Sequence, residues 1–162
     1  MKYLSGIEEK VAMEFIQQTA LVASNSTCDR SHCGSLIVSN EEITGVGFNS
    51  PPANLETQRR CSCNKDSYHK KVTDKTCCVH AEQRAIMDAL KRNPDKISGS
   101  RLYFVRLGEG GKQKQSGNPY CTMCSKMALD VGIAEFVLWH KEGVCVYGTQ
   151  EYNDLSFKFL EK

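Results

Sequence analysis

His80-Ala81-Glu82, followed some forty residues on by Asn118-Pro119-Tyr120-Cys121-Thr122-Met123-Cys124, is the pattern around which this chain has to fold. The histidine stands two residues before the glutamate at the start of a helical pattern, so one turn delivers both side chains to one place. That helix continues through Ile86, Met87 and Leu90, its core candidates, and stops near Asn93-Pro94 because proline cannot extend it. Cys121 and Cys124 lie three positions apart, a spacing that aims two thiols at one metal atom from a helix N-terminus. This second helix is expected from Cys121 to about Val131, where its dipole and free amides favour thiolate over thiol.

One imidazole and two thiolates form a three-ligand zinc set that leaves the fourth tetrahedral position to water, the mark of a catalytic rather than a structural site. Zinc lowers the pKa of that water from about 16 toward roughly 7. Glu82 would collect the proton and return it to a substrate, acting first as base and then as acid. Alone, a C-x-x-C also reads as a redox pair or half of a structural zinc site, and a lone H-x-E carries almost no information. Together they carry the assignment.

These residues resemble the cytidine deaminase superfamily, whose signature is H-x-E followed by P-C-x-x-C. The resemblance implies a hydrolytic deaminase of a cytosine nucleoside or nucleotide, with His80, Cys121 and Cys124 on zinc and Glu82 shuttling protons. It also implies that Asn49, closing Gly45-Val46-Gly47-Phe48-Asn49, contacts the sugar, and that the Ala81 amide hydrogen-bonds the pyrimidine carbonyl. Asparagine before Ser50-Pro51-Pro52 is equally what a turn needs to leave a strand. A homo-oligomer is implied too, because the family's pockets are often completed by neighbouring subunits. The signature departs at one point: Tyr120 stands between Pro119 and Cys121, at the rim of the pocket.

Two other readings remain open. One is a nucleic-acid-editing deaminase, for which Tyr120 and Lys112 are the hints, or a purine or modified-base deaminase of the same superfamily. The other is a zinc-stabilised binding module without chemistry. A net charge of +2 gives no global electrostatic case for nucleic acid. No apolar run reaches membrane-spanning length and Met1 to Glu9 lacks the apolar core of a secretion signal, so a cytoplasmic location is expected.

Nine cysteines are many for such a setting, where thiols bind metal or pack more often than they pair. Cys28, Cys33, Cys61, Cys63, Cys77 and Cys78 precede the signature, with His32 and His69 among them. Some deoxycytidylate deaminases carry a structural zinc in the corresponding places. A second zinc is therefore expected, with Cys28, Cys61 and Cys63 as ligands, joined by His69, Cys77 or Cys78. The insertion at about 50–76, which holds Cys61, Cys63 and His69, is mildly basic through Arg59, Arg60, Lys65, Lys70, Lys71 and Lys75. It reads either as a flap that meets a substrate phosphate or as a solvated loop.

At 162 residues and 40% hydrophobic content the chain can bury one core, so 1–162 is expected to be a single domain. Helical periodicity runs from about Ile7 to Ser24, with Val11, Phe15, Ile16, Leu21 and Val22 on a broad apolar face. Leu36 to Val38 and Ile43 to Phe48 read as a hairpin around Asn40-Glu41-Glu42, and Leu102 to Leu107 as a third strand. Gly108 to Gly117 reads as a flexible loop bringing Lys112 and Lys114 near the pocket mouth. Ala134 to Trp139 and Val144 to Tyr147 are the last two strands, and their short connection implies an antiparallel hairpin. The fold expected is a three-layer α/β/α sandwich, with a mixed sheet of about five strands and both metal helices on one face.

Overall fold

Residues 1–61 and 78–159 are described by the computed structural model. The chain runs β1 (Lys2–Tyr3), α1 (Gly6–Ala23), β2 (Cys33–Ser39), β3 (Glu42–Phe48), α2 (Ala81–Arg92), β4 (Arg101–Leu107), β5 (Gln113–Lys114), α3 (Thr122–Asp130), β6 (Glu135–His140), β7 (Gly143–Gly148) and α4 (Thr149–Lys158). The strands form one sheet in the order β1-β7-β6-β4-β2-β3, with β5 added to β4. Among the described residues only β4 and β6 pair in parallel; β6 and β7 turn back antiparallel, as their short connection requires.

Among the described residues the sheet thus has seven strands instead of about five. The two additional strands, β1 and β5, are two residues each, too short to show an alternating pattern, and β5 lies inside the glycine-rich stretch read as loop. Helix α4 occupies a tail to which the sequence pattern assigned no element.

The layers are as expected. Helix α1 covers one face, burying Phe15 and Ile16 against Leu36, Tyr103, Val137 and Val144. Helices α2, α3 and α4 cover the other, where Ala85, Ile86 and Ala128 meet Leu102, Phe136 and Tyr147. Tyr152 of α4 stacks on Phe136 with ring centroids 3.9 Å apart, and so fastens the tail to the sheet. A buried aromatic of this kind contributes roughly 1.5–3 kcal/mol through apolar burial. Trp139 is half-buried against the α1 side of the core.

Glycines decide how closely α2 approaches. A methyl group on Gly45 would lie 2.4 Å from the Ala85 carbonyl oxygen, so helix backbone rests on strand backbone. The core residues of α2 are consequently the small Ala81, Ala85 and Ala89 with Ile86. Met87 and Leu90, expected inside, are turned outward and are 50% and 43% exposed. Leu21 is likewise exposed, while Ala12, Thr19 and Ala23 complete the buried side of α1. The polar end of α2 supplies partners for the edge strand β3: Asp88 accepts from the Val46 amide at 2.8 Å and Asn93 Nδ2 donates to the Thr44 carbonyl at 2.8 Å. No described helix is long and apolar enough to cross a membrane.

Candidate metal centre and substrate cavity

Both halves of the signature sit at helix starts. His80 is the extended residue before α2, and its backbone N–H donates to the Gln83 side chain at 3.1 Å. Val79 pairs with Ser50 just beyond β3, and Arg84 donates to the Pro51 carbonyl at 2.7 Å. These bonds lay the start of α2 along the segment that leaves β3, which puts Asn49 and His80 on one cavity. Cys121 caps α3, its sulfur accepting from the Cys124 amide at 3.5 Å.

His80 Nδ1 lies 3.3 Å from Cys124 Sγ and 3.4 Å from Cys121 Sγ, and the two sulfurs are 3.1 Å apart. Tetrahedral zinc with bonds of about 2.0–2.3 Å holds its donors roughly 3.5 Å apart. The triangle and its mixed nitrogen and sulfur donors therefore fit zinc. A hydrogen bond from Cys124 is the main cause that lowers the Cys121 thiol to about 4, and the same bond pushes Cys124 up. A metal ion bound there would supply the positive charge that holds both thiols as thiolates.

Glu82 is buried beside this triangle. Burial pushes its carboxyl above the usual range, opposed chiefly by the nearby His80. A carboxyl group that holds a proton more tightly than usual is suited to pass one on.

A second sulfur cluster stands on the same cavity. Cys61 Sγ lies 2.9 Å from Cys78 Sγ and 3.9 Å from Cys28 Sγ, and all three residues are buried. Burial alone would raise the Cys61 thiol, but hydrogen bonds from Cys78, the Asp29 backbone and Cys28 hold it below its ordinary value. This set can hold a metal ion. Cys78, one of the candidates for a further ligand, thus joins Cys28 and Cys61 among the described residues; Cys63, His69 and Cys77, with Lys65, Lys70, Lys71 and Lys75, lie outside them. All seven described cysteines are free thiols.

The cavity has a volume of about 850 Å³, ample for a nucleotide. Asn49, Ala81 and Glu82 line it beside His80 and Cys121. The Asn49 side chain is largely committed to the loop before β2. Its Oδ1 accepts from Ser26 Oγ at 2.6 Å and the Cys33 amide at 2.8 Å, and its Nδ2 donates to the Ser31 carbonyl at 2.8 Å. One amide hydrogen remains to be given. Tyr120, the inserted residue, is 61% exposed and meets Phe159 edge-on, with ring centroids 4.8 Å apart.

Among the described residues, Arg30, Arg106 and Lys114 are the cations that line the cavity. Arg106 and Lys114 face each other across β4 and β5. Sequence reasoning had placed Lys114 near the mouth but missed both arginines. Arg106 did carry a signal, since it ends the alternating series Leu102 and Phe104 on one face of β4 with an exposed cation on the cavity.

The family model of the cytidine and deoxycytidylate deaminase zinc-binding region matches residues 9–140. The chain belongs to this family. It is 28% identical over 126 residues to a deoxycytidylate deaminase of Schizosaccharomyces pombe, a match covering 76% of this chain and 35% of the relative. The chain thus spans about a third of the length of that relative. A deoxycytidylate deaminase of Mycobacterium phage D29 is 26% identical over 134 residues, covering 79% of this chain and 92% of the relative. Among solved structures, the dCMP deaminase of cyanophage S-TIM5 in complex with dCMP and dUMP superposes with a TM-score of 0.58. That match is 23% identical and covers 81% of this chain and 82% of the other. At that identity the likeness speaks for the deaminase fold alone.

Proposed function

We infer that residues 1–162 form one zinc-dependent deaminase domain that hydrolyses the amino group of a cytosine nucleotide, giving the uracil product and ammonia. The observation that carries this reading is the buried Glu82 carboxyl beside the His80, Cys121 and Cys124 triangle, on the wall of a nucleotide-sized cavity. Zinc held by those three residues, when bound, makes water acidic enough to be a nucleophile at neutral pH.

The protein's own groups do the rest. Glu82 takes the proton of the attacking water, gives it to the ring nitrogen next to the reacting carbon, and delivers the next one to the departing amine. Water is consumed: the carbon–oxygen bond forms first, and the carbon–nitrogen bond then breaks as the added hydroxyl gives its proton through Glu82 to the amine and ammonia leaves. The backbone N–H of Ala81, at the first helical position of α2 where amides have no partner within the helix, holds the pyrimidine carbonyl. Asn49 gives its remaining amide hydrogen to the sugar. Arg30, Arg106 and Lys114 offer charge to a 5′-phosphate, so a monophosphate is the preferred substrate over a nucleoside.

Cys28, Cys61 and Cys78 hold a second, structural zinc in this reading, supported by their mutual approach and burial. A homo-oligomer, on the family resemblance, and a reducing cytoplasmic setting, which suits the free thiols, belong to the same proposal. The test is ammonia release from cytidine, deoxycytidine and their monophosphates, with Glu82→Ala run alongside. Turnover of a monophosphate by the parent and not by the variant supports the reading; no turnover of any of the four, with zinc bound, removes it.

A further inference from the structure

Strand β6 ends on His140, a buried residue with both ring nitrogens engaged. Nδ1 lies 3.1 Å from the Ser116 carbonyl oxygen and Nε2 lies 2.9 Å from the Tyr147 hydroxyl. A carbonyl only accepts, so Nδ1 carries the hydrogen; in the neutral ring Nε2 then accepts from Tyr147. Burial raises the Tyr147 hydroxyl, which keeps it protonated and able to donate. Beside this contact the Ser116 amide donates to the Trp139 carbonyl at 2.7 Å. Two consecutive residues of β6 therefore grip Ser116 by both its backbone groups.

What they grip is a wall of the substrate cavity. Lys114, Gln115, Ser116, Gly117 and Asn118 all line it, and the chain continues through Pro119 and Tyr120 to Cys121. Upstream, Lys114 is in register with Arg106. We propose that His140 is a positioning residue that sets this wall, and with it Lys114, for substrate binding, through an Nδ1–H tautomer that the Ser116 carbonyl selects and the Tyr147 hydroxyl complements. It acts through Ser116 rather than on the substrate. Substituting the imidazole leaves a carbonyl and a hydroxyl in need of partners, and the gripped segment loosens while the metal triangle, held by α2 and α3, stays.

The kinetic part of this inference rests on the proposed deaminase activity; the structural part does not. The experiment compares His140→Phe, His140→Asn and Tyr147→Phe with the parent by hydrogen–deuterium exchange over 113–120, zinc content, and kcat and KM for deoxycytidine monophosphate. An asparagine amide nitrogen can stand near Nδ1 and restore the bond to Ser116, whereas phenylalanine fills the space without donating.

In His140→Phe the Ser116 region should exchange about tenfold faster and KM should rise about tenfold, with kcat and zinc content within about twofold of the parent. His140→Asn should stay near the parent in both, and Tyr147→Phe should fall between. Unchanged exchange in His140→Phe, or equal damage in His140→Asn, overturns the inference. Should His140→Phe not fold, Tyr147→Phe decides, since parental exchange there overturns it as well. A parent without turnover removes the proposed activity, and exchange alone then decides the role of His140.

Discussion

A methyl group on Gly47 would sit 2.2 Å from the carbonyl oxygen of Ala81, so strand β3 and the first turn of α2 touch backbone to backbone. That turn follows directly on His80 and contains Glu82. Gly47→Ala must push it away from the sheet, at a cost of about 1–3 kcal/mol for overpacking. A lower melting temperature together with weaker zinc retention is the expected result. Gly148→Ala, which meets open space, should change the melting temperature little and zinc not at all. Equal behaviour of the two variants would mean that the contact does not position the metal site.

Glu82→Gln separates binding from chemistry. Glutamine keeps the size of the side chain but cannot take a proton, so turnover should drop about a hundred- to ten-thousand-fold. The two thiols and the imidazole are untouched, and zinc content should equal that of the parent by metal analysis. A large loss of zinc in this variant would make Glu82 a structural residue and leave the proton shuttle without a carrier.

The metal triangle was legible in the sequence because its ligands are local: two sit three residues apart and the third precedes a helix by one residue. Strand pairing at the chain's end was legible for a similar reason, the short connection between β6 and β7. What sequence could not show depends on contacts between distant segments. Met87 and Leu90 have the right spacing to be core, yet Gly45 and Gly47 draw the alanine side of α2 inward and turn them out. Arg30 reaches the cavity from the loop before β2 and Arg106 from the end of β4, and no local pattern joins them. Asn49 was singled out for a sugar contact, yet three bonds to residues 26–33 now show it also fixing that loop.

Cys28, Cys61 and Cys78 predict two zinc ions per chain instead of one. Cys61→Ser should lose one of them and keep the other, and the loss should appear as a lower melting temperature because structural zinc contributes directly to folding. Cys121→Ser should instead abolish turnover. If the parent holds a single zinc and Cys61→Ser is unaffected in both measurements, the cluster is a set of packed thiols.

Arg30 and Arg106 are expected to distinguish a nucleotide from a nucleoside. Replacing either with alanine should lower kcat/KM for the monophosphate about tenfold or more, the worth of one charge-assisted hydrogen bond, and leave the nucleoside within about twofold. Higher salt should weaken the parent's preference in the same direction, since both arginines are exposed. Equal losses on both substrates would place these arginines in the cavity's architecture instead of at a phosphate.

Asp88 gives a pH dependence with a definite sign. Burial by itself would raise its carboxyl, but hydrogen bonds from Arg92 and the Val46 amide outweigh it and hold the group below the usual carboxylate range. The folded protein thus favours the ionised form more than the unfolded chain does, whose value is about 3.9. The stabilisation is fully present above that value and is lost as pH falls through the lower, folded one. Asp88→Asn, which keeps an acceptor for Val46 but no charge for Arg92, should cost about 1 kcal/mol at neutral pH. Urea midpoints measured at pH 7 and again below about pH 4 should show the gap between parent and variant narrowing in acid. A gap that stays constant down to the acid limit would mean that the carboxylate's charge contributes nothing to holding α2 on β3.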